Sequence, residues 1–450
     1  MQAIDVIYLY EHVARELDVA CAVKCIAEQR YGIRIELVQW PSGLSRAYRQ
    51  FRPRLVVLSH CYSAEDYQSL LLEWRKSFFI NLAWEQFFSE GTRGPKTPSD
   101  NFARQHVIHH AWSDQFARYL QEQSVCKENI FINGHPAYML YNEPYCRYFK
   151  QRHDLANHYH LHADRRWIFF PENFGWAFYS DDRVEEWVQR GTPRDHAYAM
   201  RQFARLSLEK AMQWCVAIAS HNDVELIIRP RPATPLEDFK AAMRQIIGSI
   251  PERMHCIKQD SVREWIMASD VVISSYSSSL IEAALAGKAA FMLEPYSIPQ
   301  FLHVDWHDYI AHIKTQNECM NVCVNGSATT DDNRLANWAR TMVLAHGDAI
   351  RNLADFLAKI FLDKFPPPSF PSRKTVTKLG RFRLPKWALY EYRKIKYRKI
   401  RRQTAKTLRI HENDHISQGE IAQRINKWKQ LLACYDENKK PTNMQITIDC

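Results

Sequence analysis

The strongest constraint in this sequence is a repeated alternation. Short, nearly continuous apolar runs rich in β-branched and aromatic residues are each followed by a longer stretch with helical spacing. IDVIYLY (4–10) leads into a segment where Val13, Leu17, Ala20 and Cys21 share a helical face. IRIELVQW (33–40), RLVVLSH (54–60), FFINLAW (78–84), HVIHHAWS (106–113) and IFINGHP (130–136) follow. Such runs suit strands buried on both faces of a parallel sheet. A polar, His-rich stretch, KQRHDLANHYHLHADRR (150–166), breaks the pattern and reads as a linker. The alternation resumes with WIFFPEN (167–173), VELIIRPRP (224–232), MHCIKQD (254–260), DVVISSYSS (270–278) and AAFMLEP (289–295). Helices are predicted between them at 197–219, 237–247 and 261–269. Two successive βαβ arrays predict an α/β chain with two doubly wound domains facing each other across a cleft.

The predicted division is an N-terminal domain over 1–160 and a second domain over 161–347. A closing helix and Pro-rich break (348–370) and a basic helical tail (371–450) complete it. A chain of 450 residues has ample length for two such cores. Its eleven cysteines are scattered without framework spacing, which fits reduced thiols in a cytoplasmic protein. Cys21 and Cys25, four apart on a helix, read as core. Asp5 interrupts the N-terminal apolar run early, so no signal peptide is expected, and no stretch of about 18 apolar residues occurs to span a membrane.

Chemistry concentrates at the carboxyl ends of the predicted strands, where open parallel sheets bind ligands. The run ISSYSSSLIEAAL places Ser275, Ser277, Ser278 and Ser279 at one strand–helix junction, with Glu282 in the first helical turn. Hydroxyls and helix N–H groups together can hold a phosphate, and the carboxylate can accept from ribose hydroxyls. Serines capping a helix and satisfying a strand end give the plainer reading. At the end of another strand of the same half, IIRPRP sets Arg229 and Arg231 on a rigid turn, suited to phosphate or to surface ion pairs.

The order of these motifs resembles the bacterial surface-carbohydrate and capsule biosynthesis glycosyltransferases of GT-B type. The matching stretches are YLYEHVARELDVA (8–20), FINLAWEQ (79–86), PENFGWAF (171–178), IIRPRP (227–232) and SSSLIEAALAGKAAF (277–291), within residues 4–300. The resemblance implies two Rossmann-like domains in a GT-B-like arrangement. It gives the second domain the sugar nucleotide, held by Ser277, Ser278, Ser279, Glu282, Arg229 and Arg231, and the first domain the acceptor. Related enzymes often carry Arg-Pro-His-Pro where this chain has Arg231 in place of the histidine, so a proton-donating role there is in doubt. Some relatives, the Kdo transferases among them, use CMP-linked acidic sugars, and the resemblance leans that way.

Glycosyl transfer needs a base or a nucleophile, and charge stabilisation for the departing nucleotide. Glu85, beyond the strand FFINLAW, is the first choice, with burial beside an aromatic expected to raise its pKa. Glu11, ending the first strand, and Glu172, after WIFFP, are the other catalytic candidates, whereas Glu16 is expected to pair with Arg15 or solvent. Trp84, Gln86, Asn173 and Trp176 are candidate sugar or acceptor contacts, although tryptophan is more often core. His135 and Pro136 read as a structural turn, HYHLH (158–162) as solvated linker and His109/His110 as buried strand. None has the company of a metal site, so transfer without metal or cofactor is expected.

Net charge is +10, but fifteen Lys or Arg against Glu391 alone give residues 371–410 a charge of +14, leaving −4 for the rest. Within 379–410, Trp387, Tyr390 and Tyr397 would share a helical face amid basic side chains. This suits an anionic inner-membrane surface, where a lipid-linked glycan acceptor would be met. Nucleic acid and a plain solvated helix are the competing readings, and the body offers no nucleic-acid motif. The expected partners are therefore a nucleotide-sugar, a glycan or lipid-linked acceptor and a lipid surface. A sugar-nucleotide epimerase or hydrolase, and a non-catalytic polysaccharide assembly or export partner, are the alternative functions.

Overall fold

The computed structural model describes residues 2–40, 42–64, 68–74, 76–189, 191–231, 234–326, 333–361 and 416–437. The first sheet contains β1 (Gln2–Tyr10), β2 (Ile35–Gln39), β3 (Phe51–Leu58), β4 (Phe78–Asn81), β5 (Val107–Ala111) and β6 (Ile130–Ile132). They lie in the order β2-β1-β3-β4-β5-β6, every pair parallel. The second contains β7 (Arg166–Pro171), β8 (Val224–Arg229), β9 (Met254–Cys256), β10 (Val271–Ser274), β11 (Ala289–Leu293) and β12 (Ala311–Ile313). Its order is β12-β11-β10-β7-β8-β9, again all parallel. The eleven apolar runs of the sequence are eleven of these strands. The three-residue β12 was not expected, because AHI offers no continuous apolar run, His312 separating Ala311 from Ile313.

The principal helices are α1 (Asp18–Tyr31), α2 (Arg152–Tyr159), α3 (Arg194–Ala219), α4 (Val262–Ala268), α5 (Ser279–Leu285), α6 (Arg334–Val343), α7 (Ala349–Phe361) and α8 (Gln418–Glu437). Both faces of each sheet are covered, which explains why the strands read as unbroken apolar runs. In the second domain α3 buries Leu208, Ala211, Met212 and Ile218 on one face, and α4, α5 and α6 pack on the other. Strand order reverses between β1 and β3 in the first sheet and between β7 and β10 in the second. At such points successive crossovers leave on opposite faces and open a crevice at the strands' carboxyl ends.

The His-rich stretch is not a free linker. Its residues 152–159 form α2, with Leu155 fully buried against the second domain. Arg152 Nη1 lies 2.9 Å from both Asp270 oxygens, and Tyr159 donates to Asp260 at 2.9 Å. The chain then returns to the first domain. Phe356 of α7 stacks on Phe131 at 3.8 Å, and Trp428 of α8 stacks on Tyr148 at 4.1 Å. Arg424 of α8 also pairs with Asp18 at 2.9 Å. The segment 379–410, with Trp387, Tyr390 and Tyr397, lies outside the described residues. Among the described residues no helix is long and apolar enough to cross a membrane.

Candidate functional site

Residues beyond β1 and β4 approach those beyond β8 and β9, where Arg263 donates to Ala14 O and Arg231 acts on Glu85. After β1 the chain makes a π-helical turn, Val13–Leu17, before α1 begins. Such turns are rare and re-aim neighbouring side chains. Here Glu16 is buried completely, while Arg15 remains in the cleft with 37% of its side chain exposed. Glu16 accepts from the Glu11 amide at 2.7 Å, Ser59 Oγ at 2.8 Å and Arg15 Nη2 at 2.7 Å. It is thus a structural anion, paired with Arg15 as expected but away from solvent. Glu11 lies between His12 and His60, each 3.9 Å from its carboxylate.

The loop after β4 carries the most candidates. Asn81 Oδ1 accepts from the Ala83 amide at 3.0 Å and Asn81 Nδ2 donates to Cys61 O at 3.0 Å, holding Ala83 at φ +47°. A non-glycine residue in this region is strained, and strain of this kind clusters at functional sites. Glu85, two residues on, is half exposed and pairs with Lys96, and Arg15 Nη1 is 3.5 Å away. Partial enclosure would raise its carboxyl, but Lys96, Arg15 and then Arg231 outweigh that and hold it below the usual range. This reverses the shift expected from a neighbouring aromatic. The cations dominate because they attract the ionised form directly. Trp84 is instead a core residue, its ring 5.3 Å from His135. Gln86 is committed to backbone: Nε2 donates to His110 O at 2.8 Å and Oε1 accepts from the Trp112 amide at 2.9 Å.

On the opposite wall, Glu172 follows β7 and is 3% exposed. Its oxygens accept from the amides of Phe174 and, at 3.4 Å, Arg231. Burial pushes its carboxyl up, opposed by Arg231 and those amides. Glu172 therefore shapes the loop that presents Arg231. The Arg231 side chain crosses Gly175 so closely that a Cβ there would lie 2.5 Å from Nη1. Among the described residues its guanidinium has no hydrogen-bond acceptor, and it reaches far enough into the cleft to depress Glu85. Arg229 behaves differently, donating to Gln259 O at 2.6 Å beside Asp260, with burial bringing its pKa down to about 10. Asn173 donates to Tyr276 O at 3.4 Å, and Trp176 is half-buried against Tyr179 and Trp187.

The serine-rich junction divides by role. Ser277 Oγ accepts from the Ser279 amide at 3.3 Å, Ser274 Oγ donates to Pro171 O at 2.5 Å, and Ser278 is exposed. Ser275 Oγ is buried without a partner. Glu282 is half-buried and engaged by the first domain. Tyr141 of the first domain donates to its Oε2 at 2.6 Å, and burial raises its carboxyl against the pull of Arg263, Tyr141 and Arg15. Arg263, on α4 and 2% exposed, donates across the domains to Ala14 O at 2.8 Å and Arg15 O at 3.1 Å.

Arg15, Lys96 and Arg263 are functional candidates that the sequence reading did not select. Arg15 stands within YLYEHVARELDVA, where its position beside Glu16 points only to an ion pair. Arg263 showed itself as a lone charge among the apolar residues of SVREWIMAS. The two histidines of β5 are buried, their pKa values brought down to about 4 by desolvation, in keeping with a buried strand. His135 is a buried turn residue whose Nδ1 accepts from the Ala137 amide at 3.1 Å. Among the described residues no group of three His, Cys, Asp or Glu side chains is arranged to hold a metal ion.

No family model matches the chain, and no curated protein matches it by sequence. Solved structures do resemble it. The wall teichoic acid polymerase TagF is 11% identical with a TM-score of 0.51, the match covering 80% of this chain and 89% of that one. MnaA of S. aureus, solved with UDP, is 11% identical with a TM-score of 0.50, over 83% of this chain and all of that one. A UDP-GlcNAc 2-epimerase from Neisseria meningitidis, bound to UDP-GlcNAc, gives 9% identity and a TM-score of 0.49. At these identities the likeness establishes the fold: the chain is α/β with two Rossmann-like domains in a GT-B-like arrangement.

Proposed function

We propose that this chain is a glycosyltransferase that moves a sugar from a nucleotide-sugar to a glycan or lipid-linked acceptor in surface-polysaccharide synthesis. The observation that carries the reading is that Arg15, 3.5 Å from Glu85, and Arg231 of the second domain both act on the Glu85 carboxylate. A guanidinium with no acceptor among the described residues, lying over Gly175 in the loop after β7, suits the phosphates of a donor. In this role Arg231 and Arg15, without a metal or cofactor, stabilise the charge that develops on the leaving nucleotide. Glu85 is kept ionised and takes the acceptor proton. Ser275 and Ser277–Ser279 lie at the neighbouring strand end and complete the donor wall.

UDP is the first nucleotide to test, because MnaA was solved with it, and CMP follows from the motif resemblance. The basic segment 379–410 is proposed to bring the protein, from the cytoplasmic side, to an anionic membrane surface where a lipid-linked acceptor resides. A cleft with several carboxylates also suits an epimerase, which needs no acceptor. Incubation with UDP- and CMP-sugars, with and without a mixed glycan acceptor extract, separates the two. Acceptor-dependent nucleotide release, reduced about a hundred-fold in Glu85→Gln, is expected of the transferase. Interconversion of the donor sugar without any acceptor would replace it with the epimerase reading.

A further inference from the structure

The sequence placed acceptor contacts at Trp84 and Gln86, yet one is core and the other is bound to backbone. The concave surface lies one residue further on. A cavity of about 290 Å³ opens between the domains, walled by Phe87, Trp112 and Phe116 of the first and Trp338 and Met342 of the second. A shallower depression of about 610 Å³ continues over the first domain past Arg93, Thr97, Arg104 and Tyr119. Arg93, Tyr119 and Glu122 line both, so the two form one groove. Its inner end adjoins the cleft: Lys96, the partner of Glu85, has its Nζ 5.9 Å from the Phe88 ring centroid.

We infer that this groove binds an oligosaccharide chain, with the reacting end at Glu85 and the body of the chain running along Phe88 and Tyr119. Which end reacts rests on the transferase reading above, whereas the occupancy of the groove does not. The lining decides the class of ligand. Phe87, Phe88, Tyr119 and Trp338 are half-buried, offering ring faces for the apolar C–H faces of sugars. Between them stand Arg93, Arg104 and Arg118 against Glu90, Glu122 and Asp305, three charges of each sign. A nucleic acid or polyphosphate would call for one sign, and an acyl chain for none. Hydroxyl-rich rings, which donate and accept in equal measure, match a mixed rim. The Tyr119 ring is fixed for such a role by its hydroxyl, 2.5 Å from Thr97 Oγ1, and by Arg93, 6.0 Å from its centroid.

The test is a printed array of bacterial mono- and oligosaccharides probed with the labelled full-length chain, followed by titration of its best glycan. Binding is expected for chains of roughly three or more sugars and not for monosaccharides. Tyr119→Ala and Trp338→Ala should each weaken it about ten-fold, while Tyr119→Phe, which keeps the ring, retains it. Thermal melting and UDP binding of the same variants check that the domains and cleft are intact. An array with no oligosaccharide bound at about 1 mM, or binding untouched by both ring deletions, overturns the inference. If Glu85-dependent sugar transfer persists beside an empty array, only the groove assignment fails. Glycan binding without any donor turnover overturns the transferase instead.

Discussion

Glu85 shows how one residue's chemistry is set by neighbours its sequence does not reveal. Three cations hold its carboxyl below the usual range, which favours the ionised form. As the base for transfer it must be ionised. The acid limb of the pH–rate profile should therefore lie below the ordinary carboxylate range, with activity flat through neutrality. Lys96→Met removes the leading cation and should move that limb to higher pH, measured as kcat against pH. Arg231 carries a second expectation. In Gly175→Ala the new Cβ would displace Nη1, the mobile end of a flexible side chain, and not backbone. Stability should change little, whereas nucleotide affinity should fall about ten-fold, the worth of one charged hydrogen bond, as read by calorimetry. From the sequence, Arg229 and Arg231 were equivalent. They differ because the segment after β9 offers Gln259 O to the first of them only.

At the scale of elements, the legible part was periodic. Runs such as VELIIR and FRPRLVVL declare buried strands because both sheet faces are covered, and the closing helix expected within 348–370 includes Ala349–Phe361. What lacked an apolar pattern was missed or misread: β12 is interrupted by His312, and α2 reads as linker because its charges hide a short buried face. The docking of α8 was also illegible. Its buried Ile421, Trp428 and Leu432 fit a helical stripe, but nothing local says that the stripe covers α1 and Tyr148. Trp428 is fully buried at this junction, with Tyr148 and Phe149 around it. Trp428→Ala should destabilise the first domain by about 3–5 kcal/mol, the usual cost of emptying a buried aromatic site. Denaturant melts followed by hydrogen exchange on α1 would register it. Unchanged protection of α1 would mean that α8 contributes nothing to the first domain.

For the molecule as a whole, the site is a property of how two domains meet, and that meeting rests on pairs far apart in the chain. Tyr141 and Glu282 are separated by 141 residues, and Arg263 and Ala14 by 249, so no local pattern encodes either contact. Gly134 belongs to the same seam, since a Cβ there would stand 2.5 Å from Val343 O. Glu282 makes the seam sensitive to pH. Burial raises its folded pKa above the unfolded value, so the folded chain holds this proton more tightly. The resulting stability is full below the unfolded pKa of about 4.3 and is lost as pH rises through the raised folded value. Glu282→Gln keeps an acceptor for the Tyr141 hydroxyl but cannot ionise, so it escapes that loss. The variant's melting temperature relative to wild type should therefore climb as pH rises above about 4. Glu172 and Glu264 are also raised by burial, but they are present in both proteins, so the difference isolates Glu282. A difference that stays flat with pH would show that Arg263 and Arg15 neutralise Glu282 fully. A falling one would mean that its ionised form binds the domains together.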